Sequence, residues 1–250
     1  MGVYEMIDSN TNVLVVSAHA ADFVWRSGGA IAKYVKNGAN VQLVVLSYGA
    51  RGESNDLWNI EEQTLENVKA TRHKELLAAA NCLGLTEGNI EIWDYEDYHM
   101  AITNERMEQL TRKIREVEPH IIITHGPRDA FNPDHEAVSK FVFDAAVLST
   151  SNGVRLEGTR TAKQSKLFGF EPHQSEISSF NPDVILDITD VYDKKKAAME
   201  CFKAQGHLIS YYGYKAELRG NHARRCSGNN NYKQAEAFSR FFPLVGEELW

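Results

Sequence analysis

The stretch NVLVVSAHAADFVWRSGGA, residues 12–30, decides how the chain reads. Its opening NVLVVS is a short apolar run rich in valine, which suits a strand buried on both faces. A polar turn, Ala18-His19-Ala20-Ala21-Asp22, follows at once. Residues 27–36 then have helical spacing, and Gly28-Gly29 lets another element approach the backbone closely. A buried strand that feeds a helix through a short turn is the repeating unit of a parallel sheet.

Working outward, the same unit recurs. Apolar runs at 40–46 (NVQLVVL), 89–93, 120–124 (HIIIT) and 184–187 read as strands, with a shorter piece at 167–168. Between them, helices are expected over 60–83, stopping at Cys82-Leu83-Gly84, and over 104–116. Two more are expected over 133–148, with Asn132 as N-cap and Pro133 in the first helical position, and over 191–205. The alternation predicts an α/β fold: a Rossmann-like, mostly parallel sheet with helices on both faces, in one domain. The core is expected over about 12–205, with a helical or loop extension over 206–250 that adds to the pocket or to an interface.

Such sheets bind ligands beyond the carboxyl ends of their strands. The turns 18–22, 47–54, 94–97 and 125–135 are therefore expected on one rim, and they hold most of the reactive polar side chains.

Composition narrows the function. The chain has 250 residues, 43% of them hydrophobic and 24% charged, which suits a soluble protein with a sizeable core. Its net charge of −7 argues against bulk binding to nucleic acid or to an anionic membrane. No apolar run is long enough to span a membrane. The polar start MGVYEMIDSNTN lacks a signal core, and position 6 lacks the Ser or Thr of a myristoylation motif. Cys82, Cys201 and Cys226 are far apart and odd in number, which predicts reduced thiols in a cytoplasmic protein rather than a disulfide framework or a cysteine zinc site.

His19 and Asp22 follow the first strand, and His135 lies in the first turn of the helix after HIIIT. Two imidazoles and a carboxylate suit zinc, although other divalent metals accept the same donors. Three protein ligands would leave a position open, as catalytic sites require. Taken singly, Asp22 reads equally well as a helix cap. Asp134 is a candidate to orient a ligand imidazole.

The same segments resemble a known family. Residues 13–54, the segments NPDHEAV (132–138) and TRHKELLAAANCLGL (71–85), and the late element DITDVYDKKKAAMECFKAQ (187–205) are similar to the motifs of the PIG-L, or LmbE-like, de-N-acetylase superfamily. The resemblance implies a metal held by His19, Asp22 and His135. It also implies two departures. The aspartate that serves family deacetylases as general base is here Ala21, and a histidine that steadies their oxyanion is here Asn132.

One branch shares this pattern. SAHAADFVWRSGGAIA (17–32), LSYGARGES (46–54) and FKAQGHLISYYGYKAELRGNHARRCSG (202–228) resemble the zinc-dependent hydro-lyases that hydrate 4-oxalomesaconate in gallate and protocatechuate degradation. The implied partner is a small carboxylate substrate, and a homo-oligomer is expected. Glu53 becomes the candidate general base, and His173 the candidate acid or substrate contact. The guanidinium fork matches a carboxylate, so Arg51 and Arg128 on the rim are the first expected clamps, with Arg26 and Arg72 behind them. Asn132 is also expected on the substrate. Arg219, in a basic cluster with His222, Arg224 and Arg225, is expected in an anion pocket or a subunit contact. The competing reading is a metal-dependent deacetylase of an N-acetyl sugar or related amide, with Glu53 as a displaced base.

Overall fold

The computed structural model describes residues 7–245; the readings made on residues 1–6 lie outside them. Seven strands form one sheet in the order β3-β2-β1-β4-β5-β7-β6. The strands are β1 (Asn12–Ser17), β2 (Asn40–Val45), β3 (Ile90–Ile92), β4 (Ile121–His125), β5 (Lys166–Phe170), β6 (Val184–Asp187) and β7 (Ala235–Arg240). The first five run parallel, in register from Asn12 opposite Asn40 and Val13 opposite Ile121. β7 lies antiparallel between β5 and β6. The expected α/β fold, mostly parallel and Rossmann-like, is the one observed.

The residue alternation of β1 shows why both faces are covered. Val13 and Val15 join one apolar cluster, with Ile31, Leu76 and Met199 from the helices α1 (Asp22–Lys36), α3 (Leu65–Leu83) and α6 (Tyr192–Cys201). Leu14 and Val16 join a second, with Leu110, Ile114, Phe141 and Val142 from α4 (Asn104–Val117) and α5 (Pro133–Ser149). Successive strand side chains point to opposite faces, so an unbroken apolar run is what a doubly covered sheet needs.

Three boundaries differ from expectation. α1 begins at Asp22 rather than near 27. Its opening residues Phe23, Val24 and Trp25 are buried all round, so no polar face marks the start. The stretch 60–83 divides into a short α2 (Asn55–Trp58), a turn, and α3 capped by Thr64. The segment after 205 is more than helix and loop. It holds α7 (Leu208–Ser227) and then β7, a strand interior to the sheet.

The C-terminal strand is tied to α1 by ionic and backbone bonds. The Glu236 carboxylate of β7 accepts from the backbone N–H groups of Gly29 and Ala30, both at 2.8 Å, and from Lys195 Nζ at 2.6 Å. Lys195 also donates to the carbonyl of Trp25 at 3.0 Å. At Gly29 the helix meets Ile188 so closely that a Cβ would sit 2.6 Å from its side chain. The glycine pair read from the sequence thus marks where α1 meets the chain leading into α6.

Strand order reverses between β1 and β4, because β2 and β3 continue on one side and β4 and β5 on the other. That switch point opens a crevice at the carboxyl ends of β1 and β4, where His19 and His125 emerge.

Candidate active site and metal centre

The turn after β1 places two donors by its own geometry. Asp22 lies in the first turn of α1, and its Oδ2 accepts the N–H of His19 at 2.8 Å. The turn therefore closes on itself, with the imidazole and carboxylate side by side. The rim loop after β2 approaches it through Gly49, whose φ of 62° is left-handed. A Cβ there would lie 3.1 Å from His19 Cβ and 3.3 Å from Glu53 Cβ, so a glycine is what lets the loop bring Glu53 against His19. From the other side, Asn132 caps α5 by accepting the N–H of Asp134 at 3.2 Å, which fixes His135 one residue on.

The three expected ligands converge, and Glu53 joins them. His19 Nδ1 lies 3.1 Å from His135 Nε2 and 3.2 Å from Asp22 Oδ2, and His135 Nε2 lies 3.4 Å from the same oxygen. Glu53 Oε1 stands 3.1 Å from His19 Nδ1 and 3.7 Å from His135 Nε2. In a tetrahedral zinc site with bonds of about 2.0–2.2 Å, neighbouring donor atoms are separated by roughly 3.3–3.6 Å. The observed edges bracket that spacing.

The surrounding hydrogen bonds set the tautomers a metal would need. His19 Nε2 faces Asp134 Oδ2 at 3.1 Å, and His135 Nδ1 faces Asp129 Oδ2 at 2.9 Å. If each of these nitrogens carries the proton and donates to its aspartate, the opposite nitrogen of each ring keeps its lone pair, and those two face one another. Asp134 is held in turn by the N–H groups of Tyr98 at 2.6 Å and Met100 at 2.8 Å. Tyr98 and His99 both adopt positive φ, which turns these amides inward.

Charge at the site points the same way. Burial opposes protonation of His19, yet Glu53, Asp134 and Asp22 around it raise its pKa well above the usual value. Burial would raise the Asp22 and Glu53 carboxyls, but the neighbouring histidines hold both below the usual range. A buried cluster of carboxylates that draws positive charge onto an imidazole is a site built for a cation. Lone pairs, spacing and charge all fit a divalent metal.

A cleft of about 200 Å³ opens beside these donors. Its walls include Arg26, Asn132, His173 and Gln205, with Trp25 and Tyr212 stacked at 5.3 Å. Asn132 Nδ2 donates to Glu53 Oε1 at 3.1 Å. His173 is fastened by α7: its Nδ1 lies 3.2 Å from the Tyr212 hydroxyl, and its carbonyl accepts from Tyr211 and from Lys215 Nζ. Burial, with Arg26 and Lys215 nearby, pulls its pKa down to about 4, so at neutral pH it is an uncharged imidazole.

The other residues singled out from the sequence lie elsewhere. Arg51 is half exposed and within 4.0 Å of Glu96, and Arg128 is exposed; neither lines the cleft. Arg72 is fully buried, with its guanidinium on Glu75, Gln205 and the Tyr48 carbonyl. Arg219 is bound to Glu171. His125 lies beneath the site, stacked on His135 at 4.1 Å and accepting the N–H of Ala18. Asp94 pairs with Lys69.

Sequence reasoning singled out neither Asp129 nor the Trp25–Tyr212 pair. The signal for Asp129 was its place on the same rim turn as His135; nothing local marked it as the carboxylate that holds that ring. Asp134 does reach a candidate ligand imidazole, but it is that of His19 rather than that of its neighbour His135.

Comparison with known proteins identifies the family. The GlcNAc-PI de-N-acetylase (PIG-L) profile matches residues 14–146. A 4-oxalmesaconate hydratase from Pseudomonas putida is 39% identical over 95% of this chain and 92% of its own length. The crystal structure of GalB, the 4-carboxy-2-hydroxymuconate hydratase from the same species, is 38% identical and superposes with a TM-score of 0.90 over 96% of this chain and all of that one. The N,N'-diacetylchitobiose deacetylase of Pyrococcus horikoshii, 21% identical over 92% of this chain and 83% of its own, shares the fold with a TM-score of 0.75. By fold and by sequence, the chain belongs to the PIG-L family.

Proposed function

We propose that the chain is a metal-dependent hydratase that adds water to the conjugated double bond of an oxo-tricarboxylate, 4-oxalomesaconate, in the breakdown of gallate and protocatechuate. The observation that carries the proposal is the placement of carboxylates at the site. By the resemblance, the fully buried Ala21 stands where the family's deacetylases carry their base, while Glu53 stands against His19 and His135. The similarity to a hydratase over nearly the whole chain supports the same reading.

His19, Asp22 and His135 would hold the metal, taken here as zinc. When bound, it would polarise an α-keto acid and make water more acidic. Glu53, kept ionised by its neighbours, accepts the proton of the adding water, and Asn132 holds that carboxylate in place. The water oxygen bonds to one alkene carbon, the π electrons move into the conjugated carbonyl, and the other alkene carbon takes a proton. His173 carries that proton. It is uncharged before substrate binds; the bound carboxylates raise its proton affinity, it takes up a proton from solvent and gives that proton to carbon, and Glu53 releases the water's proton to solvent. Trp25, Phe131 and Leu208 supply the apolar wall. The reading places the enzyme in the cytoplasm, where Cys82, Cys201 and Cys226 stay as thiols.

The test is mass spectrometry of 4-oxalomesaconate incubated with the zinc-loaded protein. A product heavier by one water supports the proposal. Unchanged substrate, together with release of an amine from N-acetyl sugars, would replace it with amide hydrolysis.

A further inference from the structure

Arg26 sits one helical turn beyond Asp22, with its Nε 3.5 Å from Asp22 Oδ1. Its Nη1 donates to Asp129 Oδ2 at 2.9 Å. Nε is buried and bonded to nothing, and Nη2 has no hydrogen-bond partner among the described residues. A guanidinium has five N–H donors in a fixed fork, and burying one with so few partners is costly. The side chain is 6% exposed, and it lines both the cleft and a smaller cavity walled by Glu171, Lys195 and Arg219, where Glu171 is already paired with Arg219.

Among the described residues that line the cleft, Arg26 is also the sole lysine or arginine. The rim arginines stay outside, and Arg72 and Arg219 are already spent on Glu75 and Glu171. Asp22, Glu53 and Asp129 share its walls, so an anion entering there finds fixed positive charge at Arg26 and at the metal position. Asp22 and Asp129 hold the cation in place and keep its charge fixed.

We propose that Arg26 is the anchor for a carboxylate of the substrate, received on the free face of its guanidinium beside His173 and Asn132. The proposal rests on the hydratase reading for the identity of the substrate, and on the cleft alone for its chemical class. Held one turn from Asp22, the bound carboxylate fixes which end of an elongated polyacid lies against the metal position. Arg26 thereby acts as a specificity residue: it selects acids over the neutral amides that the family's deacetylases accept.

Zinc-loaded wild type, Arg26→Lys and Arg26→Gln are compared in three measurements: zinc content, binding of the unreactive tricarboxylate tricarballylate by calorimetry, and turnover of 4-oxalomesaconate. The expected result is that zinc stays bound, tricarballylate affinity falls roughly tenfold to a hundredfold in both variants, and KM rises by a similar factor with a smaller change in kcat. The lysine variant separates the fork from the bare charge, and circular dichroism shows that the variants remain folded. Wild-type turnover with KM and tricarballylate affinity unchanged by either substitution would overturn the anchor and leave the hydratase standing. Tricarballylate binding that depends on Arg26 without turnover would uphold the anchor and overturn the hydratase. Loss of zinc with binding otherwise intact would make Arg26 a support for Asp129 alone and overturn the proposal, as would a wild type that neither binds tricarballylate nor turns over.

Discussion

His19 and His135 turn ring nitrogens toward each other, Nδ1 to Nε2 at 3.1 Å, while each offers its other nitrogen to a buried aspartate. Two such lone pairs repel unless a cation lies between them. The pair is therefore readable as two corners of a coordination shell whose outer supports, Asp134 and Asp129, come from the segment 129–135.

Those supports make the first prediction. Asp134→Asn or Asp129→Asn should leave the fold intact and weaken zinc binding by roughly tenfold to a hundredfold, because the ligand imidazole loses the acceptor that fixes its tautomer. Competition against a chromogenic chelator measures this. Unchanged affinity in both variants would mean that the aspartates do not tune the metal.

The buried Lys195–Glu236 pair predicts a large stability effect far from the cleft. Glu236→Ala strands the ammonium and frees two backbone donors of α1, which should cost roughly 3–5 kcal/mol. Urea unfolding reads the change. A loss below about 1 kcal/mol, the usual size for a surface ion pair, would show that the pair is not buried as described.

His173 predicts a pH dependence of known sign. Its pKa is about 4 in the folded chain and near the ordinary 6.5 when unfolded. Between those values the unfolded state takes up a proton that the folded state refuses, so stability falls as pH drops from 6.5 to 4 and this contribution is constant outside that window. Urea midpoints for wild type and His173→Gln at pH 7, 5.5 and 4.5 isolate it: the wild type should lose more than the variant. Parallel declines would contradict a half-buried, neutral His173.

Much of this was legible in the sequence, for identifiable reasons. Apolar runs such as NVLVVS and HIIIT have no other use than strands buried on both faces, and the rim follows from strand direction. His19, Asp22 and His135 were visible because each lies within a few residues of a strand end. β7 was not visible: AEAFSR has a single large apolar residue, and its Glu236 is buried where Lys195, some forty positions away, and two amides of α1 meet it. The arginines were misjudged for a similar reason. Arg51 and Arg128 sit on the right loops, but a loop position does not say which way a long side chain turns, whereas Arg26 is held on a helix one turn from Asp22 and lines the cleft. Partners that close a site from distant segments, such as Tyr212 on His173, leave no local pattern.

The most direct measurement is a continuous absorbance assay of the zinc-loaded protein with 4-oxalomesaconate, run beside Glu53→Gln and His135→Ala. The account predicts steady loss of the conjugated absorbance in the wild type. It predicts a fall of roughly a hundredfold to ten-thousandfold in kcat for Glu53→Gln with zinc still bound, since general base catalysis is of that size, and loss of both zinc and turnover for His135→Ala. Full activity in Glu53→Gln, or no absorbance change in the wild type, would contradict it.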